Sequence, residues 1–202
     1  MLRITGGDFR GRLIRSPSSL RVRPTGSRAR EAIFNVLGSP LDKARTLDLF
    51  SGSGLLGFEA LSRGAASVTF VDSWPGAVSI IAANAGDLGV KDRTRVIKST
   101  WETALRRLQD EGKTFDLVFA DPPYAFFLPG GQGEKLLATL GACAIVTARG
   151  ILVLEHSVEA VLPPLPAGWD LLVRKNYGRE AVCFFKRGET DGGTNGNLRG
   201  NV

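Results

Sequence analysis

From Arg45 onward the chain switches repeatedly between two hydrophobic periods, and this alternation restricts the fold more than any other feature. RTLDLF, SVTFVD, TRVIKS and FDLVFAD are short runs of β-branched and large apolar residues, separated by the helical patterns LLGFEALSRG, PGAVSIIAANAGDLG and WETALRRLQDEG. Strands that alternate with helices imply a parallel sheet covered on both faces, because each crossover must return the chain to the edge it left. QGEKLLATLGACAIV continues as a helix and GILVLEH as a strand. Beyond the stiff turn PPLPAG, WDLLVRKNYG and EAVCFFKR are close enough in sequence to finish the sheet antiparallel.

The flanks differ from this body. Residues 1–26 hold the alternating stretch RGRLIRSP and predict a small basic hairpin, too short to be a domain. SRAREAIFNVLG predicts an amphipathic helix with Ala29, Ile33, Val36 and Leu37 on one face, Ser27 as cap and Gly38 as terminator. The body is expected to form one domain over 27–187, and the Gly- and Asn-rich tail over 188–202 to be disordered. With 202 residues and 43% apolar content, one sizeable core is affordable. No apolar run approaches the roughly 20 residues of a membrane span, and the opening lacks the apolar middle of a secretion signal, so a soluble, cytoplasmic protein is expected. Cys143 and Cys183 lie far apart in apolar segments and read as reduced buried thiols. With a single histidine they supply no ligand set, and no metal is expected.

The net charge of +6 is front-loaded. Arg3, Arg10, Arg12, Arg15, Arg21, Arg23, Arg28 and Arg30 precede Glu31, with Asp8 the only acid among them. Guanidinium forks suit phosphate oxygens, and binding releases counterions; a solvated basic face is the plainer alternative.

Gly52-Ser53-Gly54-Leu55-Leu56-Gly57 satisfies G-x-G-x-x-G directly after a strand and opens a helix. In that context the glycines allow positive φ and close approach of a nucleotide ligand. Asp72 ends the next strand, where an acid meets ribose hydroxyls in such folds. The pattern does not separate a dinucleotide from S-adenosylmethionine. Asp48, inside LDLFSGSG, disfavours a pyrophosphate and favours a cationic cofactor, which selects S-adenosylmethionine with its sulfonium and ammonium.

Asp121-Pro122-Pro123-Tyr124 ends the fourth strand. If the sheet is doubly wound, the ligand crevice lies between the first and fourth strands, which brings this corner beside the bound methyl donor. An exocyclic amine on a nucleobase is a poor nucleophile because its lone pair is delocalised. Two acceptors, the Asp121 carboxylate and the Pro122 carbonyl, would hold its two hydrogens and favour the charge that develops on nitrogen. The prolines stiffen the turn and Tyr124 offers a stacking face.

These residues resemble the bacterial 16S ribosomal RNA guanine-N2 methyltransferases. The likeness runs from Arg3 to Lys186 and includes RITGGDFRGR, RPTGSRAREAIFNVL, LDLFSGSGLLGFEALSRGA, VD at Val71-Asp72, DPPY and VLE at Val153 to Glu155. The first two stretches are the narrow ones, since glycine loops and DPPY occur across many amino-methyltransferases. The resemblance implies a Rossmann-like, doubly wound, mostly parallel seven-stranded sheet of the class I S-adenosylmethionine-dependent type. It implies Asp48, Phe50, Gly52, Ser53, Gly54, Asp72, Ser99 and Thr100 at the cofactor and Asp121 to Tyr124 at the amine. It also implies Arg3, Arg10, Arg12, Arg23 and Arg28 on RNA, and a monomer acting on small-subunit RNA or particles.

The sequence departs from the pattern at Ser99-Thr100, where an acid or amide is usual, and at Trp74-Pro75, where polar residues are usual. Trp74 either covers the adenine or packs at a helix start. AFFLPGGQG after Tyr124 reads as a mobile cover, His156 as structural, and Lys175, Tyr177 and Arg179 as either an RNA contact or a solvated turn. Three rivals stay open: an adenine-N6 methyltransferase, a non-catalytic RNA-binding assembly factor and an NAD dehydrogenase.

Overall fold

The computed structural model describes residues 1–16, 27–38 and 41–188. Arg21, Arg23 and the tail beyond Gly188 lie outside the described residues, as do the side chains of Ser27 and Arg28.

The expected alternation produces β3 (Arg45–Leu49), α2 (Leu55–Ser62), β4 (Ser67–Asp72), α3 (Pro75–Leu88), β5 (Thr94–Lys98), α4 (Trp101–Asp110), β6 (Phe115–Ala120), α5 (Gly133–Ala142) and β7 (Val146–Ser157). An antiparallel hairpin, β8 (Trp169–Tyr177) and β9 (Glu180–Arg187), completes a seven-stranded sheet of order β5-β4-β3-β6-β7-β9-β8. Before these elements stand a short hairpin, β1 (Leu2–Arg3) with β2 (Leu13–Ile14), and α1 (Ser27–Leu37). The sheet is doubly wound: from β3 the chain proceeds outward through β4 to β5, then returns to β6 on the other side.

Strand periodicity sorts the side chains onto two faces. Leu47, Leu49, Val118, Ala120, Leu152 and Leu154 pack with α4 and α5, whereas Leu117, Phe119 and Val153 pack with α1 and α2. Helix α2 is buried along its whole length, which explains why LLGFEALS is apolar nearly all round. Its outer side is covered by the amino-terminal hairpin: the Asp8 N–H donates to the Ser62 carbonyl at 2.7 Å, and Ile4 and Ile14 join Phe58 and Phe70 in one cluster. Glu59, fully buried in this helix, accepts from the Thr5 N–H at 2.8 Å and pairs with Arg63 and Arg30. A buried carboxylate persists only with such partners.

Two local expectations need correction. Val36 is 43% exposed, and Phe34 takes its place in the core with Ile33 and Leu37. Both residues flank the Ile33–Leu37 line of the helix, and the larger aromatic wins the buried side. The strand expected at GILVLEH begins earlier, at Val146, with a register shift against β6 and Arg149 at φ 67°. Cys143 and Cys183 are buried free thiols. No helix among the described residues is long and apolar enough to cross a membrane, and no group of metal-ligating side chains is present among them.

Candidate active site

Strand order reverses between β3 and β6, and their parallel register pairs Leu49 with Ala120. The next residue of each strand, Phe50 and Asp121, therefore leaves the sheet side by side. This register brings the glycine turn and the acid-proline-tyrosine corner to one crevice, as the topology of open α/β sheets requires.

The glycine turn is fixed from below. The Ser51 hydroxyl donates to the Asp48 carbonyl at 2.6 Å and accepts from the Val71 N–H at 2.9 Å, which ties β3 to β4. Phe50 adopts φ 60° and Gly54 φ 78°, left-handed conformations that a turn this tight demands. Asp72 accepts the Gly52 N–H on Oδ2 and the Trp74 N–H on Oδ1, each at 2.8 Å. Each oxygen keeps acceptor capacity toward the crevice. Gly57 performs the close-packing role of the third glycine: a Cβ there would collide with the Phe70 ring.

On the other side, Pro123 (φ −51°, ψ 142°) leads into a single turn at Tyr124–Phe127, closed by the Phe126 N–H donating to the Pro123 carbonyl at 2.9 Å. Phe126 meets the Phe50 ring edge-on at 5.2 Å, a direct link between the two corners. Tyr124 is 41% exposed, and its hydroxyl donates to Glu180 Oε1 at 3.2 Å. Burial and then the negative charge of Glu180 push the Asp121 carboxyl up to about 7.

Between the corners lies a cavity of about 840 Å³. Of the predicted cofactor residues, Phe50, Gly52, Asp72, Ser99 and Thr100 line it, and so do all four of Asp121, Pro122, Pro123 and Tyr124. The Thr100 hydroxyl already caps α4 by accepting from the Thr103 N–H, which makes Ser99 the freer of the pair. Trp74 also lines the cavity.

Asp48, Ser53 and Gly54 are not part of this lining. Strand alternation turns Asp48 toward α2, where it accepts from the Gly57 N–H at 3.0 Å, and burial raises its pKa well above the ordinary range. The Ser53 carbonyl accepts from Asn84 at 3.2 Å, and a Cβ on Gly54 would stand 2.7 Å from Phe58. These residues shape the turn from behind. Asp72, Asp121, Glu155 and Glu180, rather than Asp48, bring carboxyl groups to a cavity with no lysine or arginine among its described residues.

The basic residues lie elsewhere. Arg3 donates to the Gly11 carbonyl at 2.8 Å and Arg12 to the Asp87 carbonyl at 2.7 Å, both bracing the hairpin, while Arg10 is exposed. His156 is buried and lines the cavity, with Nε2 at 3.4 Å from Cys183 Sγ and the Phe127 ring against its own. Burial lowers its pKa.

Sequence reasoning missed Glu180, Glu155 and Phe126. The signal for Glu180 was partial: RKNYGRE places this acid at the start of the final strand, but only the antiparallel pairing of that strand with β7 puts its start at the edge where the parallel strands end.

A doubly wound seven-stranded sheet whose glycine turn and acid-Pro-Pro-Tyr corner share one acidic cavity defines the Rossmann-like class I methyltransferase fold. The chain belongs to the family described as Conserved hypothetical protein 95, which matches residues 2–186. It is 35% identical over 193 residues to ribosomal RNA small subunit methyltransferase D of Escherichia coli K12, covering 94% of this chain and 93% of that one. The solved structure of the Escherichia coli protein yhhF superposes with a TM-score of 0.80 at 34% identity, over 93% of this chain and 98% of that one. The fold extends to the more distant SMU.776, complexed with SAH, at 16% identity and a TM-score of 0.63, over 79% of this chain and 48% of that one.

Proposed function

We propose that this protein transfers a methyl group from S-adenosylmethionine to the exocyclic N2 amine of a guanine in 16S ribosomal RNA. The observation that carries the reading is the single acidic cavity joining Asp72 to Asp121 across the β3–β6 switch point. Its residues fit the donor. The lining carries carboxylates and no described lysine or arginine, which suits a sulfonium and an ammonium and opposes the pyrophosphate of a dinucleotide. About 840 Å³ lies within the range of ligand cavities, roughly 300–1,000 Å³.

When bound, the donor supplies an electrophilic methyl carbon. Asp72 accepts the ribose hydroxyls, Gly52 lets the ligand approach the backbone, and Trp74 and Ser99 flank the adenine. Asp121 and the Pro122 carbonyl each accept one hydrogen of the target amine, which orients the nitrogen and favours positive charge on it. Tyr124, held by Glu180, stacks beneath the base. Asp121 is raised to about 7 by its surroundings and is ionised above that pH. Removal of the amine proton accompanies or follows transfer. Positioning of two reactants is worth about 7–11 kcal/mol, enough that no further base is required.

The likeness to the ribosomal RNA small subunit methyltransferase D of Escherichia coli supports the RNA substrate. The protein acts as a cytoplasmic monomer, with the basic amino-terminal segment, including Arg3, Arg10, Arg12, Arg23 and Arg28, on the RNA backbone. A base inside a helix must be extruded, so an accessible loop of RNA or particle is the target.

The test is transfer of labelled methyl from S-adenosylmethionine to small-subunit RNA or particles lacking the modification, followed by digestion to nucleosides. Label in N2-methylguanosine that disappears in Asp121→Ala is expected. Label in N6-methyladenosine, or none in any RNA, refutes the reading.

A further inference from the structure

The amine pocket has a second carboxylate that the motif does not include. Glu180 opens β9, which pairs antiparallel to β7 with Ser157 opposite Glu180. The strand's first residue therefore stands at the edge where β3, β6 and β7 end. Glu180 lines the same cavity as Asp121 and accepts from the Tyr124 hydroxyl at 3.2 Å, which points its carboxylate along the corner that would hold the base. A carboxylate so placed is an acceptor only, and it has lone pairs beyond the one used by tyrosine.

Two acids facing one pocket repel each other unless the ligand brings hydrogens to both, and this restricts which base can enter. In guanine the ring nitrogen beside the N2 amine carries a hydrogen, so the edge offers donors at adjacent positions. In adenine and cytosine the ring nitrogen beside the amine is a bare lone pair, which would face a carboxylate across a desolvated gap. Resting on the function proposed above, we infer that Glu180 is the specificity-determining residue of the amine pocket, accepting the N1–H of guanine while Asp121 holds the adjacent N2 amine. Adenine-N6 transfer by the same corner is thereby disfavoured, although acid-Pro-Pro-Tyr alone suits any exocyclic amine.

The discriminating substrate is 2-aminopurine placed at the target position of the RNA. It keeps the amine but has an unprotonated N1. The full-length protein should methylate guanine RNA well and 2-aminopurine RNA poorly, by a factor of about ten or more, the worth of a hydrogen bond to a charged group. In Glu180→Gln the side-chain amide can donate to the bare N1, so the guanine to 2-aminopurine ratio of kcat/KM should collapse by about tenfold or more. Tyr124→Phe keeps the ring and the Glu180 charge but removes the hydrogen bond that aims the carboxylate, and should lower the ratio by less than either Glu180 variant. Glu180→Ala, which keeps neither charge nor donor, should also lower the ratio. An unchanged ratio in both Glu180 variants, with guanine transfer still measurable, overturns the role of Glu180 and leaves the methyltransferase reading intact. Absence of transfer to any RNA by the unaltered protein overturns both.

Discussion

Replacing Asp121 by Asn should stabilise the folded protein, and should do so only at neutral and alkaline pH. The carboxyl is pushed from its ordinary 3.8 up to about 7 by burial and by Glu180. Its folded pKa thus lies above its unfolded one. The folded state holds a proton that the unfolded state has lost, and stability falls as pH rises from about 4 through about 7. At 1.36 kcal/mol per pH unit the full span is about 4 kcal/mol. Asp121 retains some solvent access, so about half of that, roughly 2 kcal/mol, is the expected effect. Asn cannot ionise and escapes it. For a chain of this size 1 kcal/mol corresponds to about 2–4 °C, so Asp121→Asn should melt about 4–8 °C above the parent at pH 8 and close to it at pH 4.5. Thermal melts of ligand-free parent and variant at the two pH values make the comparison, and the variant should lose methyl transfer. An offset of the same size at both pH values would refute the claim that the fold holds an ionised acid at a cost for the sake of the amine.

Tyr124→Ala removes the stacking face, worth about 1–3 kcal/mol, and should lower kcat/KM for RNA by about 5-fold to 150-fold while leaving S-adenosylmethionine binding by calorimetry unchanged. S-adenosylhomocysteine at about 100 times its Kd should stabilise the parent by about 2.7 kcal/mol in a melt, and Asp72→Ala should abolish most of that gain. Gly57→Ala would force a Cβ into Phe70 and Val68 and should cost about 1–3 kcal/mol. Gly86→Ala in α3 meets only the flexible end of Lys91 and should be neutral or stabilise by up to about 1 kcal/mol. Equal melts for these two glycine variants would contradict the packing described for α2.

The order of strands and helices was legible because each element carries its period in its own residues, from RTLDLF through EAVCFFKR. The location of the crevice was legible too, since a doubly wound sheet leaves one reversal and the glycine turn and Asp121 both end strands beside it. What failed was orientation within an element. Asp48 precedes the glycine turn by a few residues, yet strand alternation turns it to the α2 side, and nothing local in LDLF tells which face will be the ligand face. Phe34 took the place expected for Val36 because their helical angles are symmetric about the Ile33–Leu37 line, and only the sheet beneath decides between them. The arginines could be counted, but not their bonds: Arg3 and Arg12 meet backbone carbonyls of their own fold, Arg12 across a long sequence separation. Glu180 needed the hairpin's direction relative to β7, a tertiary fact that the turn at Gly178 only hints at.

In the proposed reaction, methyl donor and base share one chamber. A crystal structure with S-adenosylhomocysteine bound is the most direct check. The ribose hydroxyls should lie on Asp72 and the thioether sulfur should face the Asp121–Tyr124 corner; a ligand seated away from that corner, with Asp121 out of reach of the sulfur's open side, would contradict it.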